Sequence, residues 1–372
     1  MPRIPAVRFR LVAAAALLAA LAVPAATLAR SGKTAFPPYK VVATGLDNPR
    51  GIVFGPLDWL YVAEAGRGGP DCGPAGCLGL TSRITRIDPH TGLKQTLVSG
   101  LFSAAAPDGS FAVGADGISV QVPGGGGLYA QMALNPNAFE QPPPETPTAK
   151  QPTGDPILDA AIAQAGKLLR VTGRETWQAV ADVGAFDYDW TATTGLQLDP
   201  QNPEFPDANP YGVLSTPSGV YVVDGGSNTL DLYQPWNGSL SVLQWIPNPP
   251  VGGDIYDAVP TCVAARAPGI VVGDLNGRLW SYQGGVLSQI PLSGAPVVSI
   301  GGCASDSRYV YLVDIFAGNV LAVDPAGNVS VIASGLTLPG GIAVGPNHTL
   351  YVTNFSTFPG LGQVVRIPAP GF

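Results

Sequence analysis

The feature that most constrains the fold is a repeat of short strand-like runs, of which the last copy is one run short. Earlier copies hold four runs each, as in "NPYGVLSTPSGVYVVDGGSNTLDLYQPWNGSLSVLQWI". The final copy, "GGIAVGPNHTLYVTNFSTFPGLGQVVRIPAPGF", holds only the three runs IAV, LYVTN and QVVRI. The copies recur about every 40–50 residues, which is the period of four-stranded propeller blades.

The missing run lies at the other end of the chain. The segment "YKVVATGLDNP" matches the runs that close other copies, such as "NVSVIASGLTLP". We expect Val41 and Val42 to pair with the run around Val364–Ile367, because a ring closed in this way leaves no unpaired sheet edge. The six copies therefore predict an all-β, six-bladed β-propeller over residues 38–367. A pair of β-sandwich domains is the alternative, but it does not explain one repeat that runs from end to end.

The second copy is interrupted by an insertion. It begins with "ADGISVQVPGGGGLYAQMAL" and resumes with "GKLLRVTGRETWQAVADV", and a Pro-rich stretch at about 135–155 lies between them. Polar and Pro-rich sequence has little to bury, so we expect disorder there, with a functional loop as the alternative. "DPILDAAIAQAG" then predicts a short helix that is capped by Asp155, begins at Pro156 and stops at Gly166.

The N-terminal segment has the three parts of a secretory signal. Arginines precede an apolar run, "LVAAAALLAALAV", and small residues follow it before Arg30. The run is about 13 residues long, whereas a membrane span needs roughly 20, so a retained anchor is the weaker alternative. We predict a signal peptide at 1–29, a secreted or periplasmic protein, and no transmembrane segment after signal cleavage.

The net charge is −7, and no Lys/Arg cluster follows the signal. Because nucleic acids are bound through a basic surface, this charge pattern excludes them as partners. An unknown small molecule or protein remains as the partner.

Four cysteines are available for disulfides in an exported chain. Cys72 and Cys77 flank turn-forming residues, which predicts a local disulfide; a zinc pair is the alternative, but no His or further Cys lies nearby. For Cys262 and Cys303, two alignments disagree. Matching the Tyr-rich second runs brings the two cysteines within about one residue, close enough for a bridge. Matching the leading prolines separates them by roughly 16 Å. We favour the first alignment and predict a Cys262–Cys303 disulfide.

Several phrases carry a family resemblance. The closing motifs L-Y-V-x-D/E and R-I-D-P resemble those of NHL-type and gluconolactonase-like six-bladed propellers. Longer phrases resemble the ScyD/ScyE-like family of exported proteins, namely "VVATGLDNPRGIVFGP", "LYVAEAGRGG", "GKLLRVTG", "VADVGAFDYDW", "DANPYGV", "YVVDGGSN" and "DAVPTCVA". The resemblance covers about residues 38–367. It implies an exported NHL-like propeller and no established reaction.

Propellers bind ligands where the loops that lead into the innermost strands converge at one mouth of the channel. We call these the lead-in loops. Their polar side chains are Asp47, Asn48, Arg50, Asp116, Asp207, Asn209, Tyr211 and Asp257. Asp and Asn before Pro or Gly also form turns, so each can be structural. We predict ligand binding at the mouth by Asp47, Asn48, Arg50, Asp116, Asn209, Tyr211 and Asp257 as a set.

A second ring of polar residues closes the second run of each copy. Its members are Glu64, Gln131, Asp224, Asp274, Asp314 and Asn354. Because one member recurs in every copy, we expect a structural role, in which the side chain bonds backbone amides in the following turn.

Two functions of different class remain. The first is a binding or interaction module whose ligand is unknown. The second is a metal-dependent lactonase-like hydrolase, because gluconolactonase-like propellers hold one divalent ion, usually Ca²⁺-like, by oxygen ligands in the channel. That resemblance places metal ligands on Asp47 (or Asn48) and Asn209, with only Asp116 and Asp257 near the other two ligand positions. His90 and His348 fall in turns within single copies, so a catalytic His at the mouth is not expected.

Overall fold

The computed structural model describes residues 39–73, 76–121, 127–139, 153–196, 206–249 and 257–368. Within these ranges the chain forms six small sheets, each with a core of antiparallel strands, and the innermost strands contact one another in a ring. The prediction of an all-β, six-bladed β-propeller is therefore confirmed. The predicted signal peptide at 1–29 lies outside the described residues. No helix in the described part of the chain is both long and apolar enough to span a membrane.

The last blade is completed by the N-terminal strand, as predicted. Its strands are β1 (Lys40–Leu46), β26 (Gly362–Ile367), β25 (Leu350–Asn354) and β24 (Ile342–Val344), in that order from the outside inward. Val41 lies opposite Val365, and Ala43 lies opposite Val364. Leu46 and Ala43 are buried among side chains of the first and last blades, so β1 closes the ring through packing as well as through hydrogen bonds.

Blade 1 carries an addition to the four-stranded pattern, whereas blade 2 keeps four strands. Blade 1 contains β2 (Pro49–Phe54), β3 (Leu60–Glu64), β4 (Asp71–Gly73), β5 (Gly76–Ile87) and β6 (Lys94–Ala105). Blade 2 contains β7 (Ala115–Val120), β8 (Leu128–Met132), β9 (Lys167–Gly173) and β10 (Thr176–Asp182). In blade 1, β5 and β6 continue past the end of β3, and β4 pairs with this extension.

The next three blades follow the predicted repeat. Blade 3 contains β11 (Pro210–Thr216), β12 (Gly219–Asp224), β13 (Thr229–Gln234) and β14 (Ser239–Trp245). Blade 4 contains β15 (Pro260–Arg266), β16 (Gly269–Asp274), β17 (Leu279–Gln283) and β18 (Val286–Gln289). Blade 5 contains β20 (Ile300–Ser305), β21 (Val310–Asp314), β22 (Asn319–Val323) and β23 (Asn328–Ala333), with β19 (Ser293–Gly294) parallel to β23.

Among the described residues, one α-helix lies between β8 and β9 of blade 2 and another between β10 of blade 2 and β11 of blade 3. The helix α1 (Pro156–Gln164) was predicted, and the Asp155 carboxylate accepts the amides of Ile157 and Leu158 as its N-cap. The helix α2 (Val183–Thr194) was not predicted; Asp182 caps it. Short 3₁₀ turns span Pro56–Asp58, Pro136–Phe139 and Pro346–His348.

The insertion predicted at about 135–155 is ordered at its start. Asn135 and Asn137 are buried, and Asn135 donates to the carbonyl of Ala208 in the blade 3 lead-in loop. Residues 140–152, which hold most of the Pro-rich stretch, lie outside the described residues. The first residues of the insertion are therefore packed against blade 3, whereas disorder was expected there.

The second strands of the blades are covered on both faces. β3, β8, β21 and β25 are buried at every position. Strands that pack between two neighbouring sheets read as continuous apolar runs rather than as an alternating pattern. This burial explains why the L-Y-V runs alternate so weakly in the sequence.

The innermost strands approach one another backbone to backbone. At five positions a Cβ atom would lie 2.3–2.9 Å from a backbone carbonyl oxygen of the next blade, so only glycine fits. These positions are Gly51, Gly117, Gly212, Gly302 and Gly341. The equivalent residue in blade 4 is Cys262, which follows Thr261 in the lining of the channel.

Both predicted disulfides are present. Cys72 bonds Cys77 across the β4–β5 turn, and Cys262 bonds Cys303 in the next blade with a Cα–Cα distance of 5.6 Å. The alignment on the Tyr-rich second strands was therefore the right register. Two disulfides indicate a protein of an oxidising, non-cytoplasmic compartment.

We predict that a chain starting at Asp47, which lacks β1, will be much less stable than a chain starting at Tyr39. The loss of one strand and of two buried side chains removes at least about 4 kcal/mol. That loss corresponds to a fall in Tm on the order of 10 °C, with aggregation through the exposed edge of β26. Scanning calorimetry of both chains measures the difference, and equal Tm values would contradict the role of β1 in closure.

Candidate binding site at the channel mouth

The channel along the propeller axis contains a small cavity. All six innermost strands line it with three consecutive residues each, at 50–52, 116–118, 211–213, 261–263, 301–303 and 340–342. Its volume is about 70 Å³, well below the roughly 300–1,000 Å³ of pockets that enclose a drug-sized ligand. A ligand can therefore place only a small group inside the channel, and any larger part of it must remain at the mouth.

Three of the predicted residues line this cavity together, namely Arg50 on β2, Asp116 on β7 and Tyr211 on β11. The Arg50 Nε atom lies 3.8 Å from Asp116 Oδ1, and the two side chains are 10% and 1% exposed. The guanidinium also donates to the carbonyl of Ala112 at 2.7 Å. Neither Asp116 oxygen has a hydrogen-bond partner, and Arg50 Nε has none either. Buried polar atoms are normally satisfied, and these unpartnered atoms leave hydrogen-bonding capacity that a bound group or water could use.

The environment shifts the protonation of these groups. Burial raises the pKa of Asp116 to about 7, although the nearby Arg50 charge partly offsets the effect. Burial also raises the pKa of Tyr211, and Asp116 raises it further while Arg50 lowers it. The Asp116 carboxyl therefore changes charge near neutral pH, whereas the phenol stays protonated.

Two of the other predicted residues hold the blade 1 lead-in loop. Asp47 is 1% exposed; its Oδ2 accepts from Arg67 and Arg83 at 2.7 and 2.8 Å, and its Oδ1 accepts the amide of Gly360. The fully buried Asn48 side chain donates to the carbonyls of Gly66 and Gly109. Both side chains are bonded to the protein rather than directed into the cavity.

The remaining predicted residues are likewise bonded to the backbone. The Asn209 Oδ1 atom accepts the amide of Leu134 at 2.8 Å. The Asp257 carboxylate accepts the amide of Ala258 and the side-chain amide of Asn228. Asp207 is exposed and accepts the amide of Ala208. Three of the seven predicted binding residues therefore meet at the cavity, and four hold loops.

This arrangement bears on the predicted metal ligands. Asp47 is neutralised by two guanidinium groups, and the Asn209 oxygen is used by a backbone amide. A Ca²⁺ ion needs several free oxygen ligands that converge. Both side chains already bond protein groups, and their assignment as metal ligands stays a prediction. In the described ranges no group of three or more acidic, His or Cys side chains is arranged to hold a metal ion.

The second ring is structural, as predicted, but it does more than cap the following turn. All six side chains are at most 1% exposed. Glu64, Asp224, Asp314 and Asn354 each accept a backbone amide from the lead-in loop of their own blade. Asp274 accepts the amides of Asn276 and Arg278 in its following turn and the indole N–H of Trp280 on β17, and Gln131 donates to two carbonyls. The ring therefore fixes the loops that shape the mouth.

The two histidines lie away from the cavity lining. His348 bonds Asp306 at 2.6 Å, in the turns that follow β24 and β20. The His90 amide donates to Asp88 in the turn between β5 and β6. The described structure thus agrees with the expectation that no histidine serves the channel mouth.

Sequence reasoning missed the contribution of the segment after β6. The Ala112 carbonyl accepts a hydrogen bond from the Arg50 guanidinium, and the Phe111 amide donates to the carbonyl of Thr357 in the last blade. This segment therefore contacts the mouth on the side of the first and last blades. The segment makes these contacts with backbone groups, which leave no signal in the side-chain sequence.

Comparisons with known proteins agree with this architecture. No family model matches the sequence, and no curated protein matches it. Among solved structures, a putative gluconolactonase has a TM-score of 0.52 at 12% identity, covering 89% of this chain and 93% of that chain. An auxiliary nutrient binding protein from Bacteroides thetaiotaomicron has a TM-score of 0.51 at 10% identity, covering 87% and 70%. A putative glucose dehydrogenase from Thermus thermophilus has a TM-score of 0.50 at 16% identity, covering 89% and 99%. At such identities the likeness shows the β-propeller fold alone, and the resemblance to ScyD/ScyE-like proteins stays a prediction.

We predict that Asp314→Ala will destabilise the protein by about 2–4 kcal/mol, because three backbone amides lose a buried acceptor. Asp324→Ala is the matched control, since this carboxylate also caps a turn but is open to solvent, and its loss should be clearly smaller. Urea denaturation gives both values. Equal losses would show that the ring carboxylates do not hold the lead-in loops.

Proposed function

We propose that the protein is an exported ligand-binding propeller of the ScyD/ScyE-like type, which accepts a neutral hydroxyl-bearing group at the channel mouth. The observation that carries the proposal is the Asp116–Arg50 pair, which is buried, faces the cavity and keeps unpartnered atoms on both residues. Buried polar groups without partners are costly, so such a pair is retained where an outside group completes it.

The chemistry of the pair favours a hydroxyl. A hydroxyl can donate to an Asp116 oxygen and accept from Arg50 Nε at the same time. Because the two side chains have opposite charges, an ionised Asp116 leaves the site close to neutral, which disfavours a strongly charged ligand. The cavity of about 70 Å³ admits one such group, so a sugar or polyol would bind by its end. Both disulfides support export.

The metal-dependent hydrolase is the less favoured candidate. It rests on the resemblance to gluconolactonase-like propellers, but its two ligand positions are bonded to protein groups. A protein partner at the mouth is compatible with the proposed site, because the same pair could receive a side-chain hydroxyl.

We predict that Asp116→Asn will weaken binding of the responsive sugar or polyol at least about tenfold, because a charge-assisted hydrogen bond is lost. A thermal-shift panel of sugars, sugar lactones and polyols on the wild type identifies the ligand, and titration calorimetry measures the affinity. Wild-type affinity should rise from pH 6 to pH 8 as the carboxyl ionises near its pKa of about 7, whereas the variant should show no such rise.

Asp58→Asn is the matched control, because Asp58 is an exposed carboxylate in the β2–β3 turn, outside the cavity lining. It should bind like the wild type. A panel without any responsive compound, or equal affinity for the wild type and Asp116→Asn, would refute a hydroxyl-binding role for the pair.

We predict that Asp47→Ala will lower Tm without changing any response to Ca²⁺. The substitution leaves Arg67 and Arg83 without their shared carboxylate partner, which destabilises the lead-in loop. Thermal melts with millimolar Ca²⁺ and an assay with a simple sugar lactone provide the measurements. The hydrolase would be favoured instead if Ca²⁺ stabilises the wild type and supports its hydrolysis of the lactone, and if Asp47→Ala shows neither the stabilisation nor the hydrolysis.

A further inference from the structure

Three buried carboxyl groups meet between α2 and blade 3. Asp187 lies on α2, Asp224 ends β12 and Asp231 lies on β13, and all three are 0% exposed. The Thr229 hydroxyl lies 2.9 Å from Asp231 Oδ2 and 3.3 Å from Asp187 Oδ2. Asp187 is also within hydrogen-bonding reach of both other carboxyls. The three groups therefore form one cluster.

The cluster lacks the donors that neutralise other buried carboxylates of this protein. Glu64 is paired with Arg83, and Asp274 with Arg278. In the cluster, one oxygen of each carboxyl is buried without any hydrogen-bond partner, namely Asp187 Oδ1, Asp224 Oδ2 and Asp231 Oδ1. No Lys, Arg or His of the described residues forms an ion pair with them.

Other titratable groups on the surrounding elements include no cation that acts on the three carboxyls within the described residues. They are Lys167 and Arg170 on β9, Asp182 and Asp189 of the α2 region, and the tyrosines Tyr129, Tyr188, Tyr211, Tyr221 and Tyr233. Lys167 pairs with Asp182 at the start of α2. Arg170 lowers the pKa of Tyr129 and Tyr233. Asp189 is exposed. None of the described groups supplies the missing positive charge.

Three adjacent carboxylates cannot all stay ionised in a dry site, because each adds a desolvation cost and repels the others. Protons or a cation must balance them. The three carboxyls are not arranged to hold a metal ion within the described residues, whereas protons would supply donors to the three unpartnered oxygens. Two carboxyls in contact commonly share one proton.

We propose that Asp187, Asp224 and Asp231 form a proton-sharing latch that holds α2 on blade 3 and loosens as these protons are lost. The position of α2 makes the latch relevant to the mouth. The Thr191 hydroxyl of α2 bonds the carbonyl of Asp207, and Asp224 accepts the amide of Asn209. Both contacts lie in the lead-in loop that continues into Tyr211, which lines the cavity.

The direction of the pH dependence follows from the raised pKa values of the three carboxyls. Burial and the neighbouring carboxyls raise the pKa of Asp187 and of Asp231 well above 3.8, and burial raises the pKa of Asp224. A group with a raised folded-state pKa contributes stability that is complete below its unfolded-state pKa. That contribution disappears as the pH rises through the folded-state pKa. The latch is therefore closed in mild acid and weakens towards alkaline pH.

The test compares the wild type with Asp187→Asn and Asp231→Asn, because an amide mimics the protonated carboxyl in size and as a donor. We expect Tm of the wild type to fall, relative to either variant, by on the order of 5 °C between pH 5 and pH 8. Asp189→Asn, an exposed carboxyl on the same helix, is the matched control and should follow the wild type. Parallel pH profiles for the wild type and both cluster variants would overturn the proposal.

Hydrogen exchange supplies a local readout that general destabilisation would not reproduce. After correction for the chemical exchange rate, amide protection of residues 183–194 in the wild type should fall at least about threefold between pH 5 and pH 8. Protection of α1 should not change, and α2 of Asp187→Asn should keep its protection. If Ca²⁺ instead raises wild-type Tm at pH 8 but not that of Asp187→Asn, the cluster is a cation site and the proton latch is wrong.

Discussion

The backbone contact between neighbouring innermost strands is the constraint on which the rest of the molecule depends. A Cβ at Gly117 would lie 2.3 Å from the carbonyl of Tyr211, and similar contacts recur around the ring. This proximity closes the channel to a cavity of about 70 Å³ and leaves no room for side chains from the glycine positions. Where the glycine is absent, at Cys262, a disulfide to Cys303 joins the two strands instead. The size of any group that enters the channel is therefore set by backbone packing before any polar side chain acts.

The fold could be predicted because the same sequence pattern recurs in every blade. Each blade needs the same alternation of buried runs and tight turns, so the period, the missing fourth run and the pairing of the run at Val41 and Val42 with the run around Val364–Ile367 were all visible in the sequence. The helix α2 was missed because it occurs once, in a stretch whose apolar residues show little helical asymmetry. The Cys262–Cys303 bond depended on a register that two alignments placed differently, and only the packing of the blades decided between them.

The site could be predicted only in part, for a physical reason. An Asp or Asn beside Pro or Gly in a lead-in loop can bond its own loop or face a ligand, and both roles need the same residue type. Asn48 and Asp116 illustrate the ambiguity: the first donates to two backbone carbonyls, and the second has no hydrogen-bond partner. What separates Asn48 from Asp116 is the set of partners that the fold brings close, which for Asn48 are the carbonyls of Gly66 after β3 and Gly109 after β6. Such partners come from elements that the repeat does not encode, so the sequence pattern cannot assign the role.

The buried carboxylates of this protein differ in how their negative charge is balanced. Asp47 and Glu64 share guanidinium groups, and Asp314 accepts backbone amides and a hydroxyl, so these groups stabilise loops and gain nothing from an outside partner. Asp116 has a cation at 3.8 Å but no hydrogen bond, and it faces the cavity. The Asp187 cluster has neither a cation nor a sufficient set of donors. Since an uncompensated buried charge is costly, the incomplete groups are the ones whose state changes with pH or ligand. Asp116 lines the cavity, and Asp224 of the cluster holds the blade 3 lead-in loop, so a change in either is positioned to affect the binding that we propose at the mouth.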